Sequence, residues 1–476
     1  ELSPAAGSNT KAYRKGRGAG SGNGKTGGRY ANEDEFEAKQ RIRLQLDAVA
    51  SEALSGTVFF EIGANTWGKA NNPSGGGALG ADDNTSIKVK NAYIDWIVPQ
   101  TDLKIRMGIQ GMALPSFTTE SQVFNDDVAG ITASYQFNEN VGVTALWARP
   151  YNDNYTNAND HNGNRTNYMD NMDVFALLVP LTFDGVKVTP WVMYSAIGPN
   201  TFRGAGYNNY YGNISGTSSA YPAAGMIPVG GARHKDGTLS TKAMGTYGNA
   251  VWAGLTGEVT AFDPFRFAWD FNYGSVSYAD SRANRAGWLG SLLFEYKLDW
   301  AIPGLYGWYA SGDDGSTKNG SQRMPSIVPT GNFTSFLGDG NMGWARQDYA
   351  VDYAGTWGIG AQIRDMSFIE DLTHTFRVAY WGGTNSTSMV KYMANAYSWN
   401  DATGTQATVP YMTTNDGLVE FNLVNSYKIY QNLEMNLELD YLVNCMDNST
   451  WKKAQNPSSF SKQDMFQAKV VFAYSF

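Results

Sequence analysis

The side chains best able to do chemistry in this chain are charged and set in strict alternation. Over residues 36–47, Phe36, Ala38, Ile42, Leu44 and Leu46 share one face, and Glu37, Lys39, Arg41, Arg43, Gln45 and Asp47 share the other. That is the period of a strand with one dry and one wet side. Lys104 and Arg106 repeat the pattern, and Arg364 and Arg377 repeat it again later in the chain. Between these basic positions lies 111–127, which carries Glu120, Asp126 and Asp127 among Met112, Leu114, Phe117 and Phe124. Those apolar residues suit a segment packed against a wall better than one in bulk water. A basic wall facing an acidic loop across narrow water sets up a transverse field, focused by low-dielectric surroundings. The expected constriction therefore has Arg41, Arg43, Lys104, Arg106 and Arg377 on one side and Glu120, Asp126 and Asp127 on the other.

Other chemistries find little support. The chain has 3 histidines. His161 and His234 fall in long loops and His374 at a short turn, so no nucleophile–base pair forms on adjacent strand faces. Residues 19–26 read A-G-S-G-N-G-K-T. A phosphate loop must follow a buried strand and open a helix, whereas the flanks here are basic and Gly-rich. Asp153, Asp160, Asp313 and Asp314 lie in oxygen-rich loops that are candidates for calcium, without a recognised ligand spacing. No other cofactor is expected. A net charge of -8 argues against nucleic-acid binding. The single cysteine, Cys445, excludes an internal disulfide.

The elements that position these residues are strands. No apolar run is long enough for a membrane helix, yet about 17 alternating segments follow one another from residue 36 onward. Short connections lie near 99–101, 138–140, 184–185, 263–264, 302–304, 369–372 and 430–432. Long ones span about 67–86, 111–127, 150–171, 198–246, 312–350, 385–413 and 447–462. The two classes alternate, as in an up-and-down transmembrane β-barrel with tight turns at one end and long loops at the other. Trp96, Phe137, Phe183, Phe262, Phe265, Trp300, Phe368 and Tyr430 stand beside the short turns as an interfacial girdle. Parity requires one more strand in or before 1–32, giving about 18 strands, with about 16 as the alternative. The expected division is a Gly-rich segment 1–32, either mobile or part of the first strand or loop, and a single barrel over 33–476. No secretion signal is visible at the start, which is expected of a mature chain.

The last strand, 464–476, places Phe466, Ala468, Val470, Phe472, Tyr474 and Phe476 on one face. Phe472, Tyr474 and Phe476 resemble the assembly signal of bacterial outer-membrane barrels. Four further stretches carry a family resemblance: S-Q-R-M-P-S-I-V-P at 321–329, G-T-W-G at 355–358, S-F-I-E-D-L-T-H at 367–374 and G-T-N-S at 383–386. Over roughly 36–476 the chain resembles the porins of sulfate-reducing bacteria and, more distantly, trimeric general porins. The resemblance implies a homotrimer in the outer membrane of a Gram-negative bacterium, in contact with lipid and lipopolysaccharide and inserted by the barrel-assembly machinery. It also implies passive diffusion of small hydrophilic solutes past a third loop folded into the pore, and no enzyme activity. In those relatives a strand precedes the Phe36 position, which here is the Gly-rich segment. The alternative is a receptor or adhesin barrel whose long loops bind a ligand. A plugged transporter would need a folded domain before its barrel, and 1–32 is too short.

Overall fold

The computed structural model describes residues 2–8, 35–68, 87–152, 171–198, 225–229, 232, 234–238, 247–331, 333–335, 353–392, 411–453 and 464–476. The strands are β1 (Leu2–Ser8), β2 (Glu35–Ser51), β3 (Leu54–Thr66), β4 (Ile87–Ile97), β5 (Lys104–Ala113), β6 (Asn125–Gln136), β7 (Gly142–Asn152), β8 (Asn171–Leu178), β9 (Leu181–Phe183) and β10 (Val186–Ile197). They continue as β11 (Gly248–Val259), β12 (Phe265–Ser277), β13 (Arg285–Tyr296), β14 (Ile302–Ala310), β15 (Thr356–Ile369), β16 (Leu372–Gly383), β17 (Gly417–Tyr430), β18 (Leu433–Asn444) and β19 (Met465–Tyr474). All 19 belong to one antiparallel sheet.

β8 and β9 are one stave interrupted at Val179-Pro180, since both pair with β10. Proline has no N–H to give the ladder, and the Pro180 carbonyl still accepts from the Gly142 N–H at 3.0 Å. The sheet therefore has 18 staves, the even number that parity demanded. β1 pairs with β19 on one side and β2 on the other, so the succession of ladders returns on itself. β1 is the missing strand of the sequence reading.

Left-handed residues make the tight turns. Gln100 (φ 62°), Asp371 (φ 62°) and Gly185 (φ 67°) sit at three of them. One connection on the long-loop side is short: β12 passes to β13 through a single 3-10 turn, Ser281–Ala283, capped by the Asp280 carboxylate, which accepts from the Arg282 N–H at 3.1 Å.

The two faces of the sheet differ as the alternation requires. On β12 the outward Phe265, Phe267, Phe271 and Tyr273 are exposed, while Asp270 and Asn272 are buried. On β18 Leu439 and Tyr441 face out, while Glu438 and Asp440 are buried. All eight girdle aromatics are exposed beside the short turns. A soluble protein would not leave such a belt in water; lipid against it, with the backbone of the strands paired in ladders, is a stable arrangement. The apolar core lies inside the barrel. Met112, Leu114, Phe124, Trp252, Ile327, Trp308 and Trp381 belong to one buried cluster, in which wall residues meet residues from the β5–β6 and β14–β15 connections.

Gly108 marks a close approach. It opposes Tyr93 in the β4–β5 ladder at φ 132°, and a Cβ there would sit 2.2 Å from the Ala92 carbonyl oxygen. A Gly108→Val variant should lose roughly 1–3 kcal/mol or more of stability. The readout is the temperature at which the detergent-solubilised barrel changes its electrophoretic mobility. Melting at the wild-type temperature would refute the steric account.

Candidate functional site

The site is built where the segment between β5 and β6 leaves the wall. Leu114 and Phe124 are buried, Phe117 packs partly buried against the same cluster, and the Leu114 N–H donates to the Phe124 carbonyl at 3.0 Å, closing the loop's neck. Its tip reaches β12 on another part of the wall. Asp270 there accepts from the Ser116 hydroxyl at 2.6 Å, the Phe117 N–H at 2.9 Å, the Thr118 N–H at 3.0 Å and the Thr118 hydroxyl. Arg266, two inward positions along β12, donates to the Phe117 carbonyl at 2.7 Å. A carboxylate that gathers several donors from one loop fixes that loop in place. A loop running from β5–β6 to β12 must cross the interior, so the bore is narrowed here.

A second loop, between β14 and β15, packs on the first. Phe124 and Val328 form a parallel bridge, with Ile327 N–H to Val123 carbonyl at 2.8 Å and Asn125 N–H to Val328 carbonyl at 3.1 Å. The Gln122 amide donates to the Thr330 carbonyl at 2.7 Å. The buried Arg285 guanidinium holds this loop by its carbonyls, Met324 at 2.7 Å and Arg323 at 3.2 Å, and also reaches Ile227 at 3.3 Å. Further on, Phe333 stacks on Tyr306 with centroids 4.5 Å apart, and the Ser335 N–H donates to Asn422 on β17 at 3.1 Å. Two loops thus form a cross-piece from β12 to β17.

Around it runs a belt of ion pairs. Glu258 takes Lys187 at 3.0 Å and Arg266 at 2.9 Å. Arg266 passes on to Glu295 at 3.0 Å, and Glu295 takes Arg364 at 2.6 Å and the Gln362 amide at 3.1 Å. Gln362 then accepts from Arg377 at 3.4 Å. The belt spans β10 to β16 on inward positions, and Glu295 at its centre is 2% exposed.

The ion pairs of the expected basic groups are local, made with carboxylates on neighbouring strands. Arg41 and Arg43 both pair with Glu61, at 3.6 and 3.3 Å. Arg106 grips Asp95 with two bonds of 2.8 Å and lies over the Tyr93 ring, while Lys104 reaches Asp95 at 3.5 Å. Asp126 and Asp127 belong to β6, and Asp127 pairs with Lys90 at 3.1 Å. Glu120 accepts from Asn125 at 3.0 Å. The reason is proximity: a residue opposite on the next strand is only about 5 Å away, and Asp95 and Arg106 are in register. Asp270, Glu295, Arg266 and Glu258, which organise the site, were recognisable only as inward polar positions. Lys187–Glu258 and Arg266–Glu295 are pairs in direct register, whereas the bonds of Asp270 depend on where the loop lands.

The remaining candidates have other surroundings. Asp153, Asp160, His161 and residues 19–26 lie outside the described residues. The Asp313 carboxylate accepts from the Tyr411 hydroxyl at 2.6 Å and the Gln322 N–H at 3.1 Å, and Asp314 from the Ser316 N–H at 2.7 Å. His374 bonds Asn425 at 2.7 Å. Tyr474 and Phe476 are exposed and stacked at 5.9 Å, and Phe472 is half-buried. Above the strands, Asp416 joins two loops by accepting from the Trp451 indole at 3.0 Å and the Asp447 N–H at 2.9 Å; burial pushes its carboxyl upward. Asp447 caps the turn Asn448–Trp451, and the hydroxyls of Thr450 and Ser449 hold it down at about 2.

No family model and no curated protein matches the chain. Solved structures do. The chain is similar to Pseudomonas aeruginosa OccK9 (OpdG), with 10% identity and a TM-score of 0.50 over 99% of this chain and 96% of that one. It is similar to the outer membrane protein opdK from Pseudomonas aeruginosa, with 8% identity and a TM-score of 0.50 over 99% and 96%. The corresponding values for Acinetobacter baumannii OccAB2 are 9%, 0.50, 98% and 95%. At such identities the likeness is one of fold: the chain shares the barrel architecture of the Occ proteins over nearly its whole length.

Proposed function

We propose that this protein is an outer-membrane porin, a passive diffusion channel for small hydrophilic solutes and ions. The observation that carries the reading is the inward loop latched to Asp270 inside a barrel that is charged within and apolar without. Water enters such a bore, the ion-pair belt orients dipoles in it, and the loop sets its width. One of the similar folds is named an outer membrane protein, which supports the same location here, in a Gram-negative bacterium. The motifs at 321–329 and 367–374 favour an origin among sulfate-reducing bacteria, and the family resemblance favours a homotrimer embedded in lipid and lipopolysaccharide. Phe472, Tyr474 and Phe476 serve in this reading as the handle for the assembly machinery. The test is insertion of the purified protein into a planar bilayer under a potassium chloride gradient. Discrete, ohmic current steps are expected. A barrel that inserts, as judged by protease protection, yet passes no current would overturn the channel assignment.

A further inference from the structure

The wall at β17 and β18 holds a further feature at the end of the belt. Glu420 on β17 and Glu438 and Asp440 on β18 are inward and 0%, 0% and 2% exposed. Asn422 bridges two of them, donating to Glu420 at 2.8 Å and to Asp440 at 2.7 Å. Among the described residues, both carboxylate oxygens of Glu438 and one of Asp440 have no hydrogen-bond partner. Arg377 from β16 interacts electrostatically with all three acids. Lys469 faces Glu438 across the β18–β19 ladder. Among the described residues, three carboxylates against two cations leave one negative charge over, and a buried, unsatisfied carboxylate is costly.

A proton on Glu438 would remove the charge but still leave its other oxygen without a donor. A donor-bearing cation between Glu438 and Asp440 satisfies the orphaned oxygens of both, which lie two residues apart on one strand face. Among the described residues, no three His, Cys, Asp or Glu are placed to hold a metal ion. The geometry therefore favours hydrogen bonds and charge over chelation. We propose that Glu438 and Asp440, backed by Glu420, form a wall subsite for a compact organic cation, the ammonium or guanidinium group of a permeating solute. The idea rests on the channel reading for the source of that solute, and Ser335, bonded to Asn422, sets the cross-piece beside the subsite.

The test uses the full-length, detergent-solubilised protein with ethylammonium or methylguanidinium at millimolar concentration, reading the thermal midpoint and, in bilayers, block of potassium current. Both probes should raise the midpoint of the wild type. Glu438→Gln should weaken the apparent affinity by at least about tenfold, as expected for loss of one partner of a desolvated charge pair. Asp440→Asn should do likewise, which guards against misfolding of either variant. Glu434→Gln, on the same strand nearer the short turn, should change nothing. The proposal is overturned if the midpoint ignores both probes, if Glu438→Gln binds them as the wild type does, or if potassium alone stabilises as well as they do. A midpoint shift in a barrel that passes no current would keep the subsite and reject the channel; current without any shift would do the reverse.

Discussion

Replacing Asp270 with Ala should widen the channel. The substitution removes the acceptor for the Ser116 hydroxyl, the Thr118 hydroxyl and the N–H groups of Phe117 and Thr118. Hydrogen bonds to a charged group contribute about 1.5–3 kcal/mol each, and stranded donors add their own penalty. Allowing for water reaching the released tip, docking of the loop should weaken by roughly 3–5 kcal/mol. Arg266 would retain the Phe117 carbonyl, too little to hold the tip alone. Single-channel conductance should rise and become noisier, while the melting temperature of the barrel changes little, because no ladder is touched. Asp270→Asn should fall between the two. An unchanged conductance in Asp270→Ala would show that the loop does not set the bore.

Glu295 gives the second large effect, on selectivity. It is buried and balances both Arg266 and Arg364. Glu295→Gln keeps an acceptor in place and removes the charge, so two arginines lose their shared partner. The reversal potential in a salt gradient should move toward anions. The shift should be largest at low salt and fade near 1 M, where the Debye length is about 3 Å. Glu295→Ala would add a packing defect and cost about 3–5 kcal/mol, which is why the amide is the informative variant. A reversal potential identical to the wild type would place the belt outside the conduction path.

Much of this could be read in the amino-acid sequence, for a physical reason. Each strand lies between lipid and water, so its side chains must alternate, and the turn and loop lengths separate by end. That made the barrel, the girdle and inward positions such as Arg41, Arg43, Lys104 and Arg106 legible. Leu114, Phe117 and Phe124 betrayed the inward loop, because an exposed loop has no use for them. The partners were harder. Arg106 could have been assigned to Asp95 by counting register back from the turn at 98–103. The link from Thr118 to Asp270 could not, because it joins segments far apart in the chain through a loop whose path depends on the whole ring. The β14–β15 loop was harder still: 312–350 reads simply as another long connection, although Met324, Ile327 and Phe333 are buried.

The position of β1 has a consequence for how the ring comes together. Every other ladder joins strands that are neighbours along the chain, whereas the β1–β19 ladder joins Leu2 to Phe472. Loop-closure entropy grows only logarithmically, so even a tenfold longer loop costs just ~2 kcal/mol more. The thermodynamic burden of the seam is therefore small, and its burden is in time. Until β1 and β19 meet, the edges of the sheet offer unpaired backbone groups to any other strand nearby, and pairing across so long a separation is intrinsically slow. The seam is where a half-built barrel is most open to pairing with the wrong neighbour.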